Sequence, residues 1–228
     1  MNKNKEYLFF DLDGTLTDPK IGITKSVQYS LQFFGIDAAD PNEFVKFIGP
    51  PLRDSYKKYY SLSGDEAEIA VAKYREYFAD KSIFENTIYG GIENLLKNQV
   101  TKGKKIALAT SKPTVYAEKI LKYFNIDMYF SFIAGSELNG TRSKKDAVIQ
   151  YAMENLRITD VNKVIMIGDK EHDIIGANKV GMDSIGVLYG YGGFDELSAA
   201  GADYIAADVN ELEKVLDESK IKPCESLT

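Results

Sequence analysis

The sequence predicts an α/β protein, a doubly wound parallel sheet with an all-helical cap inserted after the first strand. Three observations carry that reading. After residue 88 short apolar runs alternate with amphipathic helical patterns to the end of the chain. The runs are continuously apolar, as strands covered on both faces of a parallel sheet are. Between residues 20 and 86 no strand pattern occurs, although one apolar run has already passed.

In chain order, "YLFF" (7–10) is short and aromatic, a buried first strand. "IGITKSVQYSLQFFG" places Ile23, Val27, Leu31 and Phe34 at spacings of three or four, with Gly35 as a stop. "PNEFVKFIG" and "LRDSYKKYYSL" read as short helices broken by "GPP". "GDEAEIAVAKYREYFADK" is a longer helix with acids first and Lys81 last, which suits the helix dipole. "GGIENLLKNQVTKG" then leads into the strand 104–110, and "PTVYAEKILKYF" into "FSFIAG". "SKKDAVIQYAMENL" leads into the strand 163–169, and "DIIGANKVG" into "DSIGVLYG". "GFDELSAAG", "DYIAA" and the helix "VNELEKVLDESK" close the pattern, and the last few residues read as disordered. Right-handed crossovers make these units one doubly wound core, residues 1–18 and 88–228, with 19–87 as the cap. Such an insert sits above the C-terminal edge of the sheet, where open α/β folds bind ligands. Phe33, Phe34, Phe44, Phe47, Tyr56, Tyr59 and Tyr60 read as the cap's own core.

The chain of 228 residues is 44% hydrophobic and 27% charged, within the range of globular proteins. Its net charge of −6 argues against a nucleic-acid polymer or an anionic membrane as partner. No apolar run approaches the ~20 residues that span a bilayer. The N-terminus lacks the pattern of a signal peptide, and the single Cys224 cannot form an intrachain disulfide, so a cytoplasmic protein is expected. Monomer and homodimer both fit.

Chemistry concentrates at the strand ends. The first strand ends in Asp11-Leu12-Asp13-Gly14-Thr15, the second in Thr110-Ser111-Lys112, and the fourth in Gly168-Asp169 with Lys170, Glu171, His172 and Asp173 following. Lys144 and Lys145 open the helix before that fourth strand. Neighbouring parallel strands would bring these ends to one crevice. Carboxylates gathered there repel unless a cation lies among them, and oxygen donors without a histidine or cysteine cluster favour Mg²⁺ over zinc. A carboxylate so held can attack phosphorus, a second can handle protons, and Lys145 and Thr110 can neutralise phosphoryl oxygens. Taken singly, each group has a plainer reading. Asp169 and Asp173 could be a helix cap and a solvated face, Thr110 and Ser111 a strand-to-helix connection, and the lysines a helix surface. "DLDG" lacks the glycine and glutamate positions of a calcium loop. His172 reads as a solvated side chain, Asp18 as a loop or hinge residue, and "GYGGF" (190–194) as an ordinary loop.

"DLDGTLTD", "IALATSKP", the lysine of "SKKDAVIQYA" and "VIMIGDKEHDIIGA" resemble, in order, the four motifs of the haloacid dehalogenase superfamily of phosphohydrolases. The resemblance implies a phosphatase with an aspartyl-phosphate intermediate. It implies Asp11 as nucleophile, Asp13 as acid and base, and Lys145 as the active-site lysine with Lys144 as its rival. Thr110, with Ser111 and Gly14, would bind the phosphoryl group. Magnesium ligands would be Asp11, the Asp13 carbonyl and Asp169, with Asp173 as an outer or alternative ligand. "FIGPPLRDSY" resembles the cap segment of phosphoglycolate phosphatase-like and bacterial 5′-nucleotidase-like members, which makes Arg53 a candidate for a substrate's distal anion. The implied substrate is a small phosphorylated metabolite of the phosphoglycolate or nucleoside 5′-monophosphate type. A phosphomutase of the β-phosphoglucomutase type is the alternative; such mutases tend to carry valine where this chain has Thr15.

Overall fold

The computed structural model describes residues 5–37 and 40–217, so Cys224 and the C-terminal tail lie outside it. Its strands are β1 (Tyr7–Phe10), β2 (Thr17–Asp18), β3 (Thr87–Ile88), β4 (Lys105–Pro113), β5 (Phe130–Ser136), β6 (Val164–Gly168), β7 (Asp183–Val187) and β8 (Tyr204–Ala206). Six of them form one parallel sheet in the order β5-β4-β1-β6-β7-β8. β1 is central because its neighbours flank it in matched register, with Phe10 opposite Leu108 on one side and Ile167 on the other. Leu8, Phe9 and Phe10 are fully buried, so both faces of the strand are covered, as the continuous apolar run requires.

The helices are α1 (Lys20–Gln32), α2 (Leu52–Tyr60), α3 (Gly64–Tyr77), α4 (Ile92–Thr101), α5 (Thr114–Tyr123), α6 (Lys145–Asn155), α7 (Glu171–Lys179), α8 (Phe194–Ala199) and α9 (Val209–Asp217). "PNEFVKF" winds as a 3₁₀ helix, and α3 runs on into a π-helical turn at Phe78–Ser82. α3 starts on a capping box, Ser63 with Glu66, which satisfies two otherwise unpaired backbone donors. The chain enters the helical block through β2 and leaves it through β3, which pair antiparallel and tie the crossings together. This small ribbon lies just outside the strand-free stretch and was not foreseen.

Phe44, Phe47 and Tyr56 are buried and Phe34, Tyr59 and Tyr60 pack beside them, but Phe33 is 58% exposed and belongs to no core. The interior of the block is not separate from that of the sheet. Leu16, Ile23, Phe78 and Tyr116 join one continuous apolar cluster, with the Phe78 and Tyr116 rings 5.5 Å apart. No helix among the described residues is long and apolar enough to cross a membrane.

Candidate active site

Parallel strands end on the same side, and here that side collects the acids. The Asp11 N–H donates to the Ile167 carbonyl at 2.9 Å, so the chain is still in register with β6 as it reaches the first acid. Gly14 then turns it at φ +85°, donating its N–H to the Thr17 carbonyl at 2.8 Å. A Cβ at Gly14 would lie 2.2 Å from Asp169 Oδ2, so only glycine admits this carboxylate.

Asp11, Asp169 and Asp173 are buried and offer oxygens that lie within 4.8 Å of one another. Lys145 is the cation among them. Its Nζ stands 2.9 Å from Asp11 Oδ1 and 2.7 Å from Asp173 Oδ1, and donates to the Ala109 carbonyl at 2.9 Å. Burial pulls the Lys145 ammonium down, but Asp11 and Asp173 outweigh it and hold the group above its ordinary value. Lys144, the other candidate, is only the residue before α6 and is exposed. Asp169 is pushed well above the usual carboxylate range by burial, then by Asp173 and Asp11. Burial raises Asp173 to about 6 against the pull of Lys145. Three buried carboxylates and one ammonium leave negative charge in excess, and an all-oxygen donor set of this kind can hold a hard divalent cation.

The Asp13 carboxylate stands apart from this cluster. Its Oδ2 is 2.6 Å from Lys112 Nζ, which lies 4.8 Å from the centre of the Phe78 ring of the helical block. Burial raises the Asp13 carboxyl above its ordinary value, and the Lys112 charge opposes the rise. Asp13 Oδ1 is buried with no hydrogen-bond partner among the described residues. Asp13, Ser111 and Lys112 line a cleft of about 140 Å³ together with Arg53 and Arg75 of the helical block. Arg53 is ion-paired with Glu68, and Arg75 donates to the Leu138 carbonyl at 2.5 Å, a bond from the block to the loop after β5.

Thr110 is buried and accepts from the Lys112 N–H at 3.3 Å. Thr110 and Ser111 are not a strand-to-helix connection, because β4 carries both and runs on to Pro113. Asp173 is not a solvated face but 1% exposed, with Oδ2 accepting from the Lys170 N–H at 3.1 Å. His172 is half-buried and lines a second cleft with Lys46, Tyr59 and Tyr191. "GYGGF" is more than an ordinary loop, since the Tyr191 N–H donates to Asp169 Oδ2 at 2.8 Å. Lys112, Arg75 and Tyr191 are the residues that sequence reasoning assigned no role. Only the position of Lys112 and the glycines around Tyr191, each at a strand end on the same edge, signalled them.

The nested acids lie at the C-terminal edge of a six-stranded parallel sheet, and relatives named as phosphatases make the chain a phosphomonoester hydrolase. The chain belongs to the haloacid dehalogenase-like hydrolase family, whose pattern matches residues 8–187. A 5′-nucleotidase of Pseudomonas aeruginosa is 42% identical over 210 residues, covering 92% of this chain and 95% of the relative. The tyrosine-protein kinase PtkA of Mycobacterium tuberculosis is 32% identical over 94% of this chain and 73% of its own length. A phosphoglycolate phosphatase of Colwellia psychrerythraea is 26% identical over 92% of this chain and 96% of the relative. Among solved structures, a predicted phosphatase from Clostridium acetobutylicum superposes with a TM-score of 0.90 at 49% identity, covering 94% of this chain and 98% of that one.

Proposed function

We propose that this hydrolase removes phosphate from a small metabolite monoester in the presence of Mg²⁺, through a phosphoryl group carried on Asp11, with residues 19–87 as its cap. The observation that carries the proposal is the division of the acids. Asp11, Asp169 and Asp173 share one buried nest with Lys145, while Asp13 faces the cleft. The nest fits the ion because its donors are all carboxylate oxygens and its charge is left uncompensated. Asp11, the Asp13 carbonyl and Asp169 would hold it, with Asp173 behind. Bound there, Mg²⁺ would neutralise charge on the phosphoryl oxygens.

In this reading the Asp11 carboxylate attacks phosphorus, the ester P–O bond breaks, and Asp13 gives its proton to the departing oxygen. Water then attacks the phosphoryl-aspartate, Asp13 takes that water's proton, and Asp11 is released with inorganic phosphate. The raised Asp13 carboxyl suits the first step, because an acid must hold its proton to donate it. Lys145 keeps Asp11 oriented, and Thr110, Ser111 and the backbone beside Gly14 receive the phosphoryl group. Arg53 grips whatever anion the leaving group carries.

The Pseudomonas relative supports a nucleoside 5′-monophosphate as substrate. The cleft supports a second reading, a compact phosphorylated acid of the phosphoglycolate type. Its volume of about 140 Å³ is below the roughly 300–1,000 Å³ of sites that enclose drug-sized ligands. Phosphate release across a panel of nucleotides, phosphorylated acids and sugar phosphates, with Mg²⁺ and with chelator, tests both. Conversion of β-glucose 1-phosphate to the 6-phosphate without phosphate release would replace hydrolysis by the mutase reaction. No Mg²⁺-dependent release from any ester would refute the proposal.

A further inference from the structure

The loop 189–192 leaves the end of β7 and lies across the place where the chain passes into the helical block and returns. Tyr191 makes two hydrogen bonds there. Its N–H donates to Asp169 Oδ2 at 2.8 Å. Its hydroxyl donates to Asp18 Oδ1. Asp18 closes β2, and the same Oδ1 accepts the N–H of Lys20, the first residue of α1, at 2.9 Å. Tyr89 follows β3, and its own N–H donates to the Leu16 carbonyl at 3.1 Å. One residue therefore holds the entry crossing, which β2 shares with β3 by pairing, through its side chain and an acid of the nest through its backbone.

The loop is built to lie this close. A Cβ at Gly192 would stand 1.9 Å from the Asp169 carbonyl oxygen, so no side chain fits between them. Tyr189 adds a second tie, donating to the Thr15 carbonyl at 3.1 Å and meeting the Tyr89 ring edge-on at 5.1 Å.

We propose that Tyr191 is a positioning residue that couples the acid nest to the hinge of the cap, so that a divalent cation ordering Asp169 also tightens the crossings at β2 and β3. The inference rests on the Mg²⁺-dependent reading of the nest given above. Its physical basis is that both bonds are directional, so displacing Asp169 strains the hydroxyl's contact and opening the hinge strains Asp169. Tyr191→Phe deletes only the hinge arm and keeps the backbone bond to Asp169.

Amide hydrogen exchange at residues 17–24 and 86–89 is the readout, with and without Mg²⁺ alone. In the parent protein Mg²⁺ slows exchange at these amides. In Tyr191→Phe that slowing is lost, and metal-free hinge exchange rises severalfold, up to about tenfold, as removal of one part-buried hydrogen bond implies. Asp18→Ala behaves the same way, Asp18→Asn stays near the parent because it keeps the acceptor oxygen, and Tyr191→Phe/Asp18→Ala is no worse than either single variant. Equal slowing by Mg²⁺ in parent and Tyr191→Phe, with hydrolysis intact, overturns the coupling alone. A parent whose hydrolysis and hinge exchange both ignore Mg²⁺ overturns the coupling together with the reading of the nest.

Discussion

Two lysine–aspartate pairs stand within one site and are built differently. Lys145 sits among Asp11 and Asp173, and every partner comes from the sheet or its flanking helices. Lys112 pairs with Asp13 under the Phe78 ring, a residue of the helical block. The first arrangement is made wholly by the core, and the second is covered by a ring of the helical block. In the proposed mechanism attack would be prepared by the sheet and proton transfer by the seated block, a division of labour that separate substitutions can take apart.

Asp11→Asn has the largest expected effect. It keeps the shape and removes the attacking oxygen, and turnover should fall by on the order of 10⁴-fold or more in a phosphate-release assay. Lys145→Met follows. It leaves Asp11 and Asp173 buried without their cation, and urea unfolding should show a loss of about 3–5 kcal/mol together with loss of activity. Lys112→Met leaves one buried carboxylate, Asp13, without its cation instead of two, so its loss of stability should be smaller, while kcat should fall by about tenfold to a hundredfold because the placing of Asp13 is lost. Equal damage to stability from both lysine variants would erase the distinction. Arg53→Gln should be milder, raising KM about tenfold for substrates with a second anion and leaving kcat within a factor of a few.

The smallest effect is on the pH dependence of stability. Burial raises Asp169 and Asp173 in the folded protein, Asp173 to about 6. The unfolded chain therefore releases these protons first, and the metal-free fold loses stability as pH rises from the ordinary carboxylate range through about 6. With chelator, Tm should be higher near pH 5 than near pH 7.5, and Mg²⁺ should recover the difference at the higher pH. Asp169→Asn should remove its own share of this dependence, leave that of Asp173, and abolish the Mg²⁺ shift. Its amide oxygen can still accept from the Tyr191 N–H and its amino group can face Thr15 Oγ1.

The parallel core and its acids were legible because both are local signals. An apolar run gives a buried strand, and acids just past its end must fall on one edge of the sheet. The choice between Lys144 and Lys145 was not legible. It depends on where α6 begins and which of two adjacent residues the helix turns inward. Nor was the Tyr191–Asp18 contact, which joins positions 173 residues apart with no periodicity to announce it. Phe33 shows the converse error. It continues the apolar pattern of α1 but lies just past the helix end, and it turns out to solvent. Substrate preference was least legible, because the cleft is completed by Arg53 and Arg75, whose placing depends on how α2 and α3 pack.

The central claim is that Asp11 carries the phosphoryl group and Asp13 is needed to release it. Asp13→Asn mixed with Mg²⁺ and p-nitrophenyl phosphate, whose leaving group needs little protonation, should accumulate the phosphorylated enzyme. Acid quenching, digestion and mass spectrometry should then find one phosphoryl group on the peptide containing Asp11, absent when Asp11 is also replaced by Asn. An unmodified Asp11 peptide alongside stoichiometric release of p-nitrophenol, or a phosphoryl group on another side chain, would contradict the account.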